Sequence, residues 1–276
     1  PDNLEPRGDL MYDLLIRNGR IVDGTGNPWY RADIGVKNGT VTDIGRLEDK
    51  AGRVIDADGL YVSPGFIDVH CHSDFTVLDP ANPRDFKIRQ GITTEVAGQC
   101  GESAAPVNPD TLDLLKAYIA FESPVEGVLS WRWRTFDDYL RTLEDCDIPT
   151  NFVPLVGHGT VRIDAMGFDN RPPKESELAR MKATVNEAME AGAFGFTVGL
   201  AYAPGDYAQN DEIIELAKIS AAHGGMFGTH MRDYSDHIYD SLEETFEVGR
   251  KAKLPLVISH INVKGQAHVG EINAVM

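Results

Sequence analysis

Two histidines one residue apart, His70 and His72, close an apolar run at residues 64–69 and are the most chemically suggestive feature of the chain. Such a run predicts a buried strand, and side chains two apart along a strand point to the same side. His70 and His72 can therefore reach one cation while Cys71 faces away. Imidazole suits zinc, copper, iron and nickel, and a catalytic metal site keeps one coordination position open for water.

Three further side chains of metal-binding type follow predicted strands. Cys100, His230 and His260 come after the second, fifth and sixth of these strands. Four of six strand ends therefore present imidazole or thiol, which are the natural ligands of zinc. A lone histidine after an apolar run is most often a core residue, whereas four strand ends in register predict a metal centre. His158 ends the third strand between two glycines, where it could equally shape a loop, support a ligand or ligate.

The elements that must position these side chains are strands and helices in alternation after residue 64. Apolar strands separated by helices are typical of a parallel α/β sheet or barrel, whose functional residues lie at the carboxyl ends of the strands. The strands are predicted at residues 65–70, 93–97, 152–156, 195–198, 226–229 and 255–259. The helices are predicted at residues 111–121, 136–144, 174–191, 211–223 and 236–252. A (β/α)8 barrel has eight strands, so we predict an incomplete TIM-type barrel of about six βα units over residues 64–276.

A different pattern of short apolar runs and turn signals fills residues 12–63. The turns are predicted at Asn18-Gly19, residues 23–26 and Asn38-Gly39. Both positions of an Asn-Gly turn favour positive φ, which is a hairpin signal. We predict a small β subdomain over residues 12–63. Residues 1–11 are predicted to be disordered or a cloning remnant, with a natural start at Met11.

The composition limits the partners of the protein. Its 276 residues include 26 Lys and Arg against 43 Asp and Glu, a formal net charge of −17. This acidity argues against nucleic acids and anionic membranes as partners. The sequence has no apolar run of about 18 residues that could span a bilayer, and its first residues do not show the basic-then-apolar pattern expected of a secretory signal. Its three cysteines do not make a disulfide framework, which favours the reducing cytoplasm.

Six motifs carry a resemblance to the amidohydrolase superfamily. Residues 65–74, Gly-Phe-Ile-Asp-Val-His-Cys-His-Ser-Asp, resemble its first metal motif. The other five are similar to the N-acyl-D-amino-acid deacylase (D-aminoacylase) branch and lie at residues 11–19, 93–106, 157–160, 199–205 and 229–232. The resemblance extends from residue 11 to about residue 265.

The resemblance implies zinc-dependent hydrolysis of the amide bond of N-acyl-D-amino acids. It implies a tight zinc site at Cys100, His230 and His260 and a second, weaker metal position at His70 and His72, bridged by the Cys100 thiolate. Many relatives bridge their metals with a modified lysine at the end of the fourth strand, but this sequence has neither Lys nor Glu there. A bridging anion is needed because two neighbouring cations repel each other.

The resemblance also implies a general base that this sequence does not contain. In the family it is an aspartate after the eighth strand, and no residue here matches it. We therefore expect the C-terminal remainder of the barrel, with this aspartate, to be missing from the chain or to lie on a second polypeptide.

The small-molecule substrate that the resemblance implies carries a carboxylate, and this group needs a cation. Lys264 and Arg232 are the candidates, with Tyr202 as a hydrogen-bonding wall. Relatives often have a lysine two positions after the histidine of the sixth strand, where this sequence has Asn262. For Arg232, a salt bridge with Asp233 or Asp236 is an equally good interpretation.

The sequence is also compatible with two other functions. One is an amidohydrolase of the hydantoinase or dihydroorotase type that acts on cyclic amides; Cys100 and the missing lysine of the fourth strand argue against it. The other is a catalytically incomplete fragment that binds metal without turnover.

Overall fold

Two compact units make up the chain, Pro1–Gly65 and Phe66–Met276. The computed structural model describes residues 12–48, 50–121, 127 and 129–275. The division lies two residues after the boundary predicted between residues 63 and 64. The disorder or cloning remnant predicted for residues 1–11 concerns residues outside the described part of the chain.

The first unit is a five-stranded sheet. Its strands are β1 (Tyr12–Ile21), β2 (Tyr30–Lys37), β3 (Thr40–Gly45), β4 (Ala51–Asp56) and β5 (Tyr61–Val62). Their order is β3-β2-β1-β4, and β5 also pairs with β1. The turn between β2 and β3 lies at Asn38 and Gly39, with φ of 52° and 73°, as predicted.

The turn predicted at Asn18-Gly19 is wrong. Strand β1 continues through these residues, and its register with β2 shifts between Ile16 and Gly19. Asn18 has a φ of 63°, so the positive φ that Asn-Gly favours forms a β-bulge here instead of a reversal. The same local preference is compatible with both structures, and pairing with β2 and β4 decides between them.

The second unit contains parallel strands that follow the predicted order. They are β6 (Phe66–Asp68), β7 (Ile92–Ala97), β8 (Asn151–Pro154), β9 (Val156–Gly157), β10 (Gly195–Gly199), β11 (Met226–His230) and β12 (Leu256–Ile258). The predicted third strand is divided in two: β8 pairs with β7, whereas β9 pairs with β10. It therefore joins the sheet β6-β7-β8 to the sheet β9-β10-β11-β12.

Helices alternate with these strands. They are α1 (Leu112–Tyr118), α2 (Phe136–Glu144), α3 (His158–Met166), α4 (Glu175–Ala191), α5 (Asn210–Ala222), α6 (Ile238–Ala252) and α7 (Ile272–Val275). Short 3₁₀ turns lie at Thr76–Leu78, Ile88–Gln90, Pro109–Thr111, Gly205–Tyr207 and Gln266–His268. Helix α2 begins with a capping box between Thr135 and Asp138. Five helices match the predicted ones within a few residues, and α3 and α7 were not predicted.

The core of the second unit lies between the strands and their helices. Phe196 of β10 stacks with Phe227 of β11, with ring centroids 6.3 Å apart. Met181 of α4 and Ile213 of α5 belong to the same buried cluster. Burial of these apolar side chains holds the parallel strands in register, which fixes the positions of the strand ends.

A charged cluster is buried under the helices. The Arg162 guanidinium of α3 donates twice to Glu212 of α5 at 2.7 Å, and the side chains are 0% and 4% exposed. His158 Nε2 lies 2.8 Å from the same carboxylate. Burial alone would raise the pKa of Glu212, but the His158 hydrogen bond and the charges of His158 and Arg162 outweigh it and lower the pKa.

The two edge strands of the second unit expose apolar side chains. On and beside β6, Phe66, Ile67 and Val69 are 59%, 61% and 62% exposed, and Val257 of β12 is 40% exposed. Strand edges with exposed apolar residues are templates for pairing with further strands. The barrel is therefore open between β6 and β12 in the described part of the chain.

Candidate metal centre

Five side chains form two clusters that share one sulfur atom, Cys100 Sγ. His70, His72 and Cys100 form the first, and Cys100, His230 and His260 form the second; within each cluster the ligand atoms lie within 4.8 Å of one another. Cys100 Sγ lies 3.5 Å from His70 Nε2 and 3.5 Å from His260 Nε2. The structure therefore brings together all five side chains that were predicted as metal ligands.

Because the strands are parallel, the five side chains come together at the carboxyl ends of the strands. His70 and His72 follow β6, Cys100 follows β7, His230 ends β11, and His260 follows β12. Asp68 of β6 lies opposite Glu95 of β7, and Thr229 of β11 lies opposite Ile258 of β12. Since all these strands run in the same direction, their carboxyl ends meet on the face where barrel enzymes carry their chemistry.

The loop that carries Cys100 has an unusual backbone. Cys100 itself has a φ of 56°, and the flanking Gly98 and Gly101 have φ of 82° and 77°. A non-glycine residue in this left-handed region costs about 1–2 kcal/mol, so its surroundings must enforce it. The Thr197 hydroxyl accepts from Gly101 N at 3.2 Å and donates to Gly98 O, while the Asp74 carboxylate accepts from Gly98 N at 3.0 Å. Together these bonds hold the thiol towards the histidines.

Gly98→Ala should disturb this loop. A Cβ at Gly98 would overlap the Leu155 carbonyl oxygen, and the residue has a φ of +82°, so we expect more than the roughly 1 kcal/mol of a left-handed alanine alone. Chemical denaturation should show a loss of about 2–4 kcal/mol, with weaker zinc binding by chelator competition. Gly224→Ala is the matched control, because Gly224 has a φ of +73° but open space around it. Equal losses for both variants would contradict a special constraint at Gly98.

The electrostatics favour neutral imidazoles. Burial, followed by the charges of His260 and Lys264, lowers the pKa of His230 to about 4. Burial also lowers the pKa of His260. Neutral imidazole is the form that binds a metal ion, so both side chains are ready to ligate at neutral pH.

Cys71 has a different environment from Cys100. Its Sγ lies 3.8 Å from Glu95 Oε2 and 3.5 Å from Val96 O, and it belongs to neither cluster. Burial raises the pKa of the Cys71 thiol to about 11. It is therefore a neutral packing thiol at pH 7.

The five side chains fit zinc. One thiolate with several imidazoles is the donor set of zinc sites, and tetrahedral Zn–S and Zn–N bonds place S and N about 3.6 Å apart. The 3.5 Å distances from Cys100 Sγ to His70 and His260 agree with this value. A thiolate that belongs to both clusters also supplies the anion that two neighbouring cations require.

Tyr202, Lys264 and Arg232, which were predicted to bind substrate, have different surroundings. The Tyr202 ring packs edge-on against His230 with ring centroids 5.1 Å apart. Lys264 Nζ lies 5.0 Å above the Tyr234 ring. This ring contacts both His230 and His260. Tyr202 and Lys264 therefore lie beside the metal ligands.

Arg232 is held in an ion pair. Its guanidinium donates to both oxygens of Glu244 at 2.9–3.3 Å, to Asp206 O at 2.8 Å and to Ala208 O at 3.0 Å. Arg232 therefore forms salt bridges, as one interpretation of the sequence predicted. Its partners are Glu244 and Asp206 and not Asp233 or Asp236. To bind a substrate carboxylate, Arg232 would have to leave these partners.

Sequence reasoning missed two charged groups around the ligands. Glu102 Oε2 lies 3.6 Å from His72 Nδ1, and its only sequence signal is its position two residues after Cys100. Lys87 Nζ lies 2.8 Å from both Asp68, the last residue of β6, and Glu95 of β7. The Lys87 contacts join distant segments, so no local pattern could have predicted them.

Comparisons with known proteins agree with this geometry. A sequence model described as "Amidohydrolase family" matches residues 53–274. D-aminoacylase from Alcaligenes xylosoxydans xylosoxydans is 42% identical over 94% of this chain and 52% of its own length. The chain therefore spans about half the length of this relative. No helix in the described part of the chain is long and apolar enough to cross a membrane.

Two solved structures are similar along almost the whole chain. A D-aminoacylase structure concerned with a binuclear metal centre superimposes with a TM-score of 0.85 at 39% identity, over 96% of this chain and 54% of the other. N-acyl-D-glutamate deacylase from Bordetella bronchiseptica, in complex with zinc and a phosphonate inhibitor, gives a TM-score of 0.83 at 36% identity, over 95% and 54%. These likenesses confirm the predicted α/β barrel-type fold.

Proposed function

This chain belongs to the amidohydrolase family, and we propose that it carries the metal centre of an enzyme that hydrolyses the amide bond of N-acyl-D-amino acids, releasing a carboxylate and a free D-amino acid. The observation that carries the proposal is the Cys100 sulfur atom, which is shared by two histidine clusters at the carboxyl ends of the strands. The similar proteins support the substrate class, since they are a D-aminoacylase and deacylases of N-acyl-D-aspartate and N-acyl-D-glutamate.

Zinc is the proposed cofactor. Cys100, His230 and His260 would hold the tight ion, and His70 and His72 would hold a second, weaker one with Cys100 between them. Burial of Cys100 and the lowered pKa of His230 support the assignment of the tight site. When bound, zinc polarises a carbonyl and lowers the pKa of a bound water to about 7.

The chain's own residues bind and orient the substrate in this proposal. Lys264 is the cation for the substrate carboxylate, since it is exposed and lies beside the ligand histidines. Tyr202 forms the opposite wall; its hydroxyl donates to Cys100 O at 2.6 Å, which fixes its ring next to His230. The general base is the aspartate expected after the eighth strand, outside this sequence.

The exposed edges of β6 and β12 support completion of the barrel by further strands. Phe66, Ile67 and Val257 are apolar side chains of strands that have an unpaired edge in the described part of the chain. The relatives are about twice as long as this chain. We propose that the remaining strands, on the same or a second polypeptide, pair with these edges.

The cytoplasm is the proposed location, because all three cysteines are free.

The proposal is tested by elemental analysis together with turnover, which is followed as free amino acid for the N-acetyl substrates and as ring opening to N-carbamoylglycine for hydantoin. The substrates are N-acetyl-D-methionine, N-acetyl-L-methionine and hydantoin, and the protein is assayed alone and with the C-terminal half of a D-aminoacylase. Zinc with turnover of the D-enantiomer alone is the expected result. Turnover of hydantoin in its place would assign the cyclic-amide activity, and bound zinc without any turnover in the complemented protein would reject hydrolysis.

Lys264→Met should weaken substrate binding with little change in the metal centre. A hydrogen bond to a charged group contributes about 1.5–3 kcal/mol, so we expect KM for N-acetyl-D-methionine to rise by roughly 10- to 150-fold. The zinc content should stay the same. Lys251→Met is the matched control, because Lys251 pairs with Glu247 on α6. An unchanged KM in Lys264→Met would remove this lysine from the proposal.

A further inference from the structure

A cavity of about 340 Å³ is lined by aromatic rings and one charged side chain. The rings belong to Tyr118, Phe121, Phe168 and Tyr202, and the charged group is the carboxylate of Glu102. Ligand sites typically have such a volume and a largely apolar lining with few polar groups.

The cavity adjoins both halves of the metal centre. Tyr202 lines it and also packs against His230, with ring centroids 5.1 Å apart. Glu102 lines it and lies 3.6 Å from His72. A substrate whose amide lies at the metal ligands can therefore extend one substituent into this cavity.

Three of the four rings of the cavity are held by contacts within the protein. The Tyr118 hydroxyl donates to Gly101 O at 3.3 Å, next to the Cys100 carbonyl that accepts from Tyr202. The Tyr118 ring contacts both Phe168 and Tyr202, with centroids 6.2 and 6.3 Å apart. Binding then costs little ordering of side chains, which favours affinity.

The lining has one electrostatic preference. Aromatic faces attract cations, more strongly where water is excluded. The Glu102 side chain is 1% exposed, so solvent screens its charge weakly. A cationic group gains from both features, whereas an anionic group is repelled by the carboxylate.

We propose that this cavity is the side-chain pocket for the amino-acid part of the substrate and that Glu102 selects cationic side chains, such as those of D-lysine and D-arginine, over acidic ones. The inference rests on the proposed function and narrows its substrate class. It separates this chain from its relatives that deacylate N-acyl-D-aspartate and N-acyl-D-glutamate.

The test measures binding of products, which cannot be hydrolysed. D-lysine, D-methionine and D-glutamate are titrated by calorimetry into the full chain and into Glu102→Gln. We expect D-lysine to bind at least about tenfold more tightly than D-methionine, with D-glutamate weakest. In Glu102→Gln the ratio of lysine to methionine affinity should fall below about threefold. Glu243→Gln, an exposed carboxylate on α6, is the matched control and should keep the wild-type ratio.

A second variant guards against misfolding of Glu102→Gln. Phe168→Leu removes one ring of the cavity and should reduce the preference for D-lysine while D-methionine still binds. Equal affinities for the three amino acids in the wild type, no binding of any of them, or a lysine preference that survives Glu102→Gln would each overturn the inference. Turnover of N-acetyl-D-methionine is measured separately, so a failure of the proposed function is distinguished from a failure of this pocket assignment.

Discussion

Cys100→Ala is expected to abolish the metal centre as a whole. Cys100 Sγ is the only ligand atom shared by the two histidine clusters found in the described part of the chain. Loss of a group that merely supports a ligand weakens metal binding by about 10- to 100-fold, and loss of a shared ligand must cost more. We expect zinc affinity to fall by more than about 100-fold, and any deacylase activity to be lost with it. Competition with a chromophoric chelator measures the affinity directly.

The other two cysteines provide matched controls for this variant. Cys146 is half-buried and donates to Thr142 O on α2, and Cys71 is buried against Glu95. Cys146→Ser should bind zinc like the wild type. Cys71→Ser keeps a group that can donate a hydrogen bond, so its zinc affinity should change by less than about tenfold. Loss of zinc in Cys146→Ser, or full retention in Cys100→Ala, would contradict the assignment of the ligands.

Glu212→Leu is expected to have the largest effect on stability. The variant leaves the Arg162 guanidinium without its carboxylate in a site where that side chain is 0% exposed. Breaking a buried ion pair by removal of one partner costs about 3–5 kcal/mol, since the remaining charge is left uncompensated. Urea denaturation followed by circular dichroism measures the free energy of unfolding. The double variant Arg162→Met with Glu212→Leu should recover much of the loss.

Glu215 offers the control for Glu212. It lies three residues further along α5, is 38% exposed, and pairs with Lys182 and Lys218. Glu215→Leu should change stability by no more than about 1 kcal/mol, as is usual for exposed pairs. Similar losses for the two variants would argue against a special role of the buried cluster.

Acid should reveal the same difference. The pKa of Glu212 is lowered in the folded protein, so its contribution to stability is complete above the unfolded glutamate pKa of about 4.3 and is lost as the pH falls through the folded value. The Glu212→Leu variant lacks this term. Its stability should therefore decline less steeply than that of the wild type below about pH 4.3.

The clustering of the five candidate ligands could be predicted because each follows a strong local signal. His230 and His260 come after short apolar runs that read as strands, and parallel strands bring their carboxyl ends together. The predicted fold class follows from the same alternation of strands and helices and is confirmed by the solved relatives. The period of the side chains along a strand and the direction of the strand are encoded locally, so both can be predicted without knowledge of the tertiary structure.

Helix α3 was missed for an equally physical reason. Residues His158 to Asp164 are all buried, so the helix has no polar face and no amphipathic period. Gly159 and Thr160 also lower its intrinsic propensity. What stabilises α3 is tertiary: the Arg162 side chain reaches Glu212, 50 residues away in the sequence. Glu102 and Lys87 were missed for the same reason, because only the tertiary structure brings their partners close to them.

The sharing of Cys100 between the clusters has a consequence for the chain as a polymer. Cys100 follows a strand of one sheet and His260 follows a strand of the other, and 160 residues separate them in the sequence. An ion held by both would act as a cross-link that closes this long loop. Covalent closure of a loop of that length lowers the conformational entropy of the unfolded chain, which raises the free energy of that state by about 5 kcal/mol. Metal binding and folding are then coupled, and the free energy of unfolding should rise with the free metal concentration.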